Sequence, residues 1–359
     1  MDAKITKARI GHMLSYDWIK IVAICAVVVV VWVLLFTTLA PRATLGQTFE
    51  IYVYSRVSLR TNLGSLDSLH GNNSLSYSAL SYDVLDMAQN NLIDGSEGTV
   101  MSAHFAAGQG DVLFISSYEY DSGEDDANGE PVMTSDLYEY ITGYMGYSAW
   151  LGGENEYPYG SAQNNPNRQD YLTSCRQYLE QYYTGDIAEA SAEQDKQAIE
   201  EDFRARIDGD NRYKRESQIQ AGLVQEYERI EDLRIAYNNI VGYLSADDKG
   251  ADGETPTLSI PELELTVQSE NDENGDGTVD GNDTRQVKGY FSFDLSNVPG
   301  LENILTTTRS ADETATSQSV NMVIVNPRMQ EEALRYEQIT FLDYIIKESA
   351  RLKDLNSGS

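Results

Sequence analysis

The sequence predicts an α/β fold behind a single N-terminal transmembrane helix, and three observations predict it. Residues 21–40 carry no charge. Beyond them, short β-branched and aromatic runs interleave with stretches of helical spacing, with no repeat period. The rest of the 359-residue chain is long enough to bury a sizeable core without cross-links.

The charge-free run includes five consecutive valines, Val27 to Val31. At about 1.5 Å per residue, twenty residues span roughly 30 Å, the thickness of bilayer hydrocarbon. Trp18 stands at the entry as an interfacial anchor and Pro41-Arg42 at the exit as a helix stop, so the membrane segment is 18–40. Lys4, Lys7, Arg9 and Lys20 outnumber Asp2 and Asp17 on the N-terminal side. That bias keeps residues 1–17 in the cytoplasm and makes the chain a single-pass protein of the cell membrane, with its bulk extracellular. A soluble core helix would show a polar face, and a cleaved signal peptide would have a shorter apolar region and an A-x-A-like site. Cys25, deep in the run and after Ile24, is not placed as a lipoprotein cysteine.

Setting residues 1–40 aside removes four basic and two acidic residues from totals of 26 and 57, leaving 22 and 55, a net charge of −33. Such a domain repels nucleic acid and anionic lipid, which excludes nucleic acid as a partner. It suits an exterior rich in divalent cations. The two cysteines, Cys25 in the membrane segment and Cys175 outside it, cannot pair with each other.

After a spacer at 41–47, an α/β domain is expected over 48–355, with a frayed tail at 356–359. Residues 48–54 read as a strand, 60–81 as a polar loop, and 82–92 as a helix. Residues 99–102 read as a strand and 104–107 as a helical turn. Gly108-Gln-Gly110 breaks the chain before Asp111-Val-Leu-Phe-Ile-Ser116, an apolar run suited to a strand buried on both faces. Residues 118–130 read as an acidic surface loop and 135–151 as a helix with Ser135 as N-cap. A Gly/Asn/Pro-rich loop fills 152–167. A helical region covers 169–244, broken at Asp208-Gly-Asp-Asn211. Its best face is Leu223, Tyr227, Ile230, Leu233, Tyr237, Ile240 and Leu244. A linker spans 247–255. Strands are expected at 258–260, 263–267, 289–294 and 320–325, and a final helix over 329–352.

The sharpest motif is Asp272-Glu-Asn274-Gly-Asp276-Gly277-Thr278-Val279-Asp280-Gly-Asn-Asp283. Calcium takes six to eight oxygens, which a twelve-residue loop supplies from positions 1, 3, 5, 7, 9 and 12. Those positions hold Asp272, Asn274, Asp276, the Thr278 carbonyl, Asp280 and Asp283, with Gly277 at the sharp turn. The loop resembles the calcium loops of EF-hands and, more closely, of bacterial dockerin modules, which also end in Asp. A dockerin needs a second loop and helices, which this chain lacks. A calcium-stapled connection between two strands is therefore expected, against the alternative of a metal-free Asp/Gly hairpin. A second acidic cluster, Glu119, Asp121, Glu124, Asp125 and Asp126, lacks both spacing and glycine.

No catalytic constellation emerges, and the chain reads as a non-enzyme. Gly146-Tyr-Ser-Ala-Trp150 lacks the last glycine of a nucleophile elbow, and no G-K-[ST] follows Gly108-Gln-Gly110. Tyrosine stands out, 24 against eight phenylalanines and three tryptophans, densest between 138 and 183. Its apolar face and polar tip suit either sugar stacking or a half-buried helix face.

Several segments together resemble extracytoplasmic solute-binding proteins of bacterial ABC importers, the type-2 periplasmic-binding fold. They are the opening strand Phe49 to Tyr54, the turn and strand from Phe105 to Ser116, and the helix start Asp136-Leu-Tyr-Glu-Tyr-Ile141. Near the C-terminus come Phe293-Asp-Leu-Ser296, the strand at 320–326 and Phe341-Leu-Asp-Tyr-Ile345. The resemblance implies a two-lobed extracellular domain closing on a small solute, sugar or peptide, and a membrane transporter as partner. Tyr118, Tyr120 and Trp150 are its candidate cleft residues. Departures are the transmembrane helix in place of a lipid anchor, a short outer domain and a long polar stretch at 60–81. The competing reading is a surface scaffold or accessory subunit of a membrane complex.

The calcium motif sets the first test. Melting of the full chain in detergent should shift upward with millimolar calcium and back with EGTA, and Asp276→Ala should abolish the shift. An EGTA-insensitive melting temperature overturns the site.

Overall fold

Thr48-Phe-Glu-Ile-Tyr-Val53 forms the first strand, β1, because its β-branched and aromatic side chains pack on both faces of a sheet. The computed structural model describes residues 7–39, 48–54, 56–60, 86–92, 97–125, 129–152, 170–268, 278, 284–308, 314–325 and 335–357. The chain divides into two units, Met1–Ala43 and Thr44–Ser359.

The first unit contains helix α1 (Lys7–Leu39). Its window Trp18–Leu35 has a mean hydropathy of 2.8 and none of it is buried. It is long and apolar enough to cross a membrane, as an anchor or signal anchor does. The helix begins well before the apolar run, in the segment read as the cytoplasmic N-terminus.

In the second unit the elements follow β1 in the order β2 (Val57–Leu59), β3 (Asp86–Asn91), α2 (Glu97–Ala106), β4 (Val112–Ser116), β5 (Glu119–Asp125), β6 (Pro131–Ser135) and α3 (Asp136–Tyr144). Then come α4 (Tyr171–Glu180), β7 (Tyr183–Thr184), β8 (Glu193–Gln194), α5 (Lys196–Arg206) and α6 (Glu216–Tyr243). The chain ends with β9 (Leu263–Gln268), β10 (Thr284–Gly289), β11 (Ser292–Asp294), β12 (Leu305–Thr307), β13 (Val320–Ile324) and α7 (Glu337–Ser357).

One five-stranded sheet organises the unit, in the order β11-β13-β4-β1-β3. β3, β1 and β4 are parallel, whereas β13 runs antiparallel to both β4 and β11. The other described sheets are two-stranded ribbons. The crossover from β3 through α2 to β4 passes β1, which lies between its two parallel neighbours.

Both sheet faces are covered. Phe49, Ile51, Phe114, Met322 and Ile324 face α7, where Phe341 lies 4.9 Å from the Phe49 ring and 6.2 Å from that of Phe114. Leu113, Ile115, Val323 and Tyr52 face the other way, against Met101 and Phe105 of α2 and Leu137, Tyr140 and Ile141 of α3. The two-residue alternation of a pleated strand divides these sets. Truncating a fully buried phenylalanine such as Phe341 costs roughly 3–5 kcal/mol.

Several sequence expectations change. Asp86-Met-Ala-Gln-Asn-Asn91 is an edge strand rather than a helix, because all six residues pair with β1. Residues 99–102 are helical, since Met101 and Phe105, four apart, bury together on one face of α2. Within the 118–130 segment, Glu119–Asp125 is the largely exposed strand β5, paired with β6. Only an isolated bridge at Ser259 remains of the 258–260 strand. Helix α7 runs through Ser357, two residues into the expected tail, where Asn356 Nδ2 donates to Asn303 Oδ1 at 2.8 Å. Expectations for 61–85, 153–169 and 326–334 lie outside the described residues.

Ser135 is the N-cap of α3 as expected, with φ −145° and its Oγ accepting the Tyr138 N–H at 3.1 Å. The predicted face of α6 is buried at Leu223, Ile230, Leu233, Tyr237 and Ile240. Inside that helix packing sits a charged cluster. Glu226 is 1 % exposed and accepts Arg229 Nε at 3.0 Å and an Arg206 Nη2 donor, while Arg229 Nη2 also donates to the Tyr178 hydroxyl at 2.7 Å. Burial pushes the Glu226 carboxyl up, but Arg229 and Arg206 outweigh it and hold it at about 2.

Gly110 turns the chain into β4 with φ +104°, and a Cβ there would meet Tyr52 Cε2 at 2.9 Å. Gly110→Ala should cost about 2 kcal/mol or more in urea unfolding, from backbone strain plus overpacking. Gly143→Ala, with open space around the added Cβ, should be neutral or slightly stabilising.

Candidate functional site

From β1 the chain leaves toward β3, whereas the next sheet strands reached from β4, β11 and β13, lie on the opposite side. This divergence marks the carboxyl ends of two adjacent parallel strands, the usual ligand position in such sheets. Here the edge is formed by Tyr54 and Arg56 after β1 and by Ser117 and Tyr118 after β4. Ser319 joins them, since it precedes β13, whose Val320 pairs with Ser116.

The floor of this edge is tightly bonded. Ser117 N–H donates to Ser319 O at 2.9 Å, and Asn321 Nδ2 donates to Ser117 Oγ at 2.8 Å. Asn321 is fully buried and its Oδ1 accepts the Ser292 hydroxyl at 3.0 Å. Ser319 N–H donates to Ser296 Oγ at 2.8 Å. Ser319 itself has φ 61°, the one positive value at a non-glycine among the described residues. A left-handed serine costs on the order of 1–2 kcal/mol and persists only where its surroundings enforce it; such positions concentrate at functional sites.

Above the floor stands a charged and aromatic group. The Arg56 guanidinium carbon lies 3.8 Å from the Tyr120 ring centroid, and its Nε is 3.6 Å from Asp136 Oδ2. Pairing of Glu119 with Ser135 and Tyr120 with Thr134 in the ribbon brings Tyr120 to the head of α3, where Asp136 is buried. Burial, then Asp136 and a hydrogen bond to Glu139, push the Tyr120 hydroxyl well above its ordinary pKa. Tyr118 is half-buried, and its N–H donates to Ser116 Oγ at 3.1 Å.

Tyr118 and Tyr120 thus lie together at this edge, but Trp150 does not. Ala149 N–H donates to Ile324 O, and Ile324 pairs with Val112 at the start of β4, so Trp150 sits at the other end of the strands. Four residues of strand, about 13 Å, separate the two ends. Trp150 is 4 % exposed and packs edge-on against Phe291 at 5.3 Å and Tyr290 at 6.0 Å, which makes it a core residue. The tyrosine-rich stretch divides similarly: Tyr140, Tyr171, Tyr178, Tyr182 and Tyr183 are buried, and Tyr138, Tyr144 and Tyr147 are half-buried. Arg56, Asp136 and Ser319 were not singled out by the sequence. A lone arginine just after the first strand was a readable signal for the first of them, but the Ser319 dihedral had none.

The calcium motif connects β9 to β10, whose antiparallel register from Leu263↔Gly289 to Gln268↔Thr284 holds the loop ends together. Thr278 is exposed. Asp272, Asn274, Asp276, Asp280 and Asp283 lie outside the described residues. Among the described residues no group of three metal-ligating side chains occurs. Glu119, Asp121, Glu124 and Asp125 lie exposed along β5. Cys175 is buried, and burial pushes its thiol far above the ordinary range, so it is an inert packing residue.

At the opposite edge of the sheet lies a buried polar network. Asp111 Oδ2 accepts Glu50 N–H at 2.8 Å and its Oδ1 accepts Gln338 Nε2 at 3.1 Å. Tyr52 OH donates to Glu50 Oε2 at 2.9 Å. The same hydroxyl lies 2.7 Å from His104 Nδ1, in hydrogen-bond contact. Burial first, and then the Glu50 carboxylate, push the Asp111 carboxyl from 3.8 up to about 7. The network ties β1, β4, α2 and α7 together and reads as structural. No family model matches the chain, and neither a curated protein nor a solved structure matches it.

The raised Asp111 carboxyl gives a pH signature. The folded state keeps a proton that the unfolded chain releases near pH 4, so this contribution is complete at low pH and lost as pH rises through about 7. Between pH 5.5 and 8.5 the second unit should lose about 2–5 °C in Tm from this group. Asp111→Asn should flatten that slope; equal slopes in both proteins would contradict it.

Proposed function

We propose that this chain is a membrane-anchored, extracellular, calcium-stabilised capture protein. It holds a small solute, a sugar or a peptide, at the carboxyl edge of its parallel strands for an ABC-type importer in the same membrane. The observation that carries this reading is the β1/β4 divergence, with Tyr118, Tyr120 and Arg56 gathered around it. The strained Ser319 at the same edge and the apolar helix Trp18–Leu35 support it. In this reading the basic N-terminal flank lies in the cytoplasm, and a periplasmic-binding-like second lobe closes over the edge. The chemistry is binding, with no bond made or broken.

A second reading, an accessory or scaffold subunit of a membrane complex, is favoured by one observation. Among the described residues only one sheet exceeds two strands, and α4, α5 and α6 fill the long insertion after Trp150.

Thermal-shift screening of the full chain in nanodiscs against sugars, peptides and amino acids separates the two. Capture predicts a solute-specific upward shift, with affinity reduced about tenfold by Tyr118→Ala or Tyr120→Ala, as for removal of one aromatic contact. Absence of any shift across the panel, or binding indifferent to both substitutions, favours the accessory subunit.

A further inference from the structure

We propose that Arg56 is the anchoring cation of this edge and that the captured solute carries a carboxylate. This inference rests on the capture reading and specifies the ligand class of that site.

Three observations carry it. First, the guanidinium is held in place without its terminal donors being used by any described residue. Its plane carbon lies 3.8 Å from the centroid of the Tyr120 ring, and Nε faces Asp136 at 3.6 Å. That distance is beyond hydrogen-bond reach, so Asp136 orients the group by charge rather than by occupying it. Among the described residues neither Nη group has a hydrogen-bond acceptor, and the side chain is 28 % exposed. Two parallel N–H donors on a fixed plane match the two oxygens of a carboxylate.

Second, Arg56 is unlike the other arginines whose ion pairs are described. Arg176, Arg204, Arg206, Arg212, Arg229, Arg234 and Arg351 each donate a terminal Nη2 to an acidic side chain at hydrogen-bond distance. Its position at the strand ends coincides with the β1/β4 divergence, on a domain of net charge −33.

Third, the surroundings select the kind of anion. Asp136 is buried beside the guanidinium, with Glu139 on the next turn of α3 and Glu119 at the start of β5. A dianionic phosphate meets more repulsion there than a monoanionic carboxylate, so a planar single charge fits better. The same acidic field keeps carboxylates from accumulating on the surface at large, which favours a site where a cation is held in place. A carboxylate of this kind occurs on a peptide C-terminus and on a sugar acid alike.

Calorimetric binding to the full chain in nanodiscs tests the inference with matched probes: glucuronate against glucose, and dialanine against dialanine amide, with inorganic phosphate as a third anion. At least one acid should bind ten times or more tighter than its neutral partner, and which pair shows the preference identifies the source of the carboxylate. Arg56→Gln should erase the preference. Arg56→Lys, which keeps the charge and loses the fork, should restore only part of it. Binding in which both neutral probes match their acids overturns the role of Arg56 while leaving capture standing, as does phosphate binding more tightly than either acid. Failure of every probe overturns capture and this inference together. The acid-to-neutral ratio of the unsubstituted protein decides the matter even where a variant is unstable.

Discussion

Burial of the central strands on both faces is the constraint on which the rest depends. Val112 to Ser116 and Val320 to Ile324 have no exposed residue, so every backbone polar group between them must find its partner inside the sheet. They do so in a five-residue antiparallel ladder, with β1 pairing on the far side of β4. A sheet buried in this way needs helices on both sides, which α7 supplies on one and α2 and α3 on the other. Connections then emerge at the strand ends.

The two ends of the sheet are used differently. At the amino end of the parallel strands, Glu50, Tyr52, His104, Asp111 and Gln338 saturate one another, so polar groups are sealed in and add rigidity. At the carboxyl end, Arg56 is placed by a ring and a distant carboxylate, and among the described residues its terminal donors meet no acceptor. The same economy of charge separates this arginine from Arg229, whose buried partner Glu226 and neighbour Tyr178 consume its donors in the helical packing. An acidic domain makes the location of each unspent cation informative.

Local sequence was misleading where tertiary pairing overrode it. Asp-Met-Ala-Gln-Asn-Asn has little strand propensity, but six backbone pairs to β1 make β3 of it. Thr99-Val100 favours a strand, yet Met101 and Phe105 gain more by burying four residues apart on a helix. Trp150 was assigned to a cleft because aromatic residues suit binding; its neighbours Phe291 and Tyr290 come from a segment about 140 residues later, and no local pattern reveals that contact.

The sequence by itself determined the apolar helix, the α/β class, the fully buried β4 and β13, the Ser135 cap and the apolar face of α6. Each follows from a local physical rule: length against bilayer thickness, hydrophobic period, or the capping geometry of one side chain. Only the tertiary structure decided the strand order, which end of the sheet each aromatic residue occupies, and the conjunction of Arg56, Tyr120 and Asp136. Those depend on contacts between residues as distant in the chain as Ile324 and Val112, 212 apart, which periodicity and composition do not encode. Strand register turns such separations into ångströms, and it fixed where an open cation could stand.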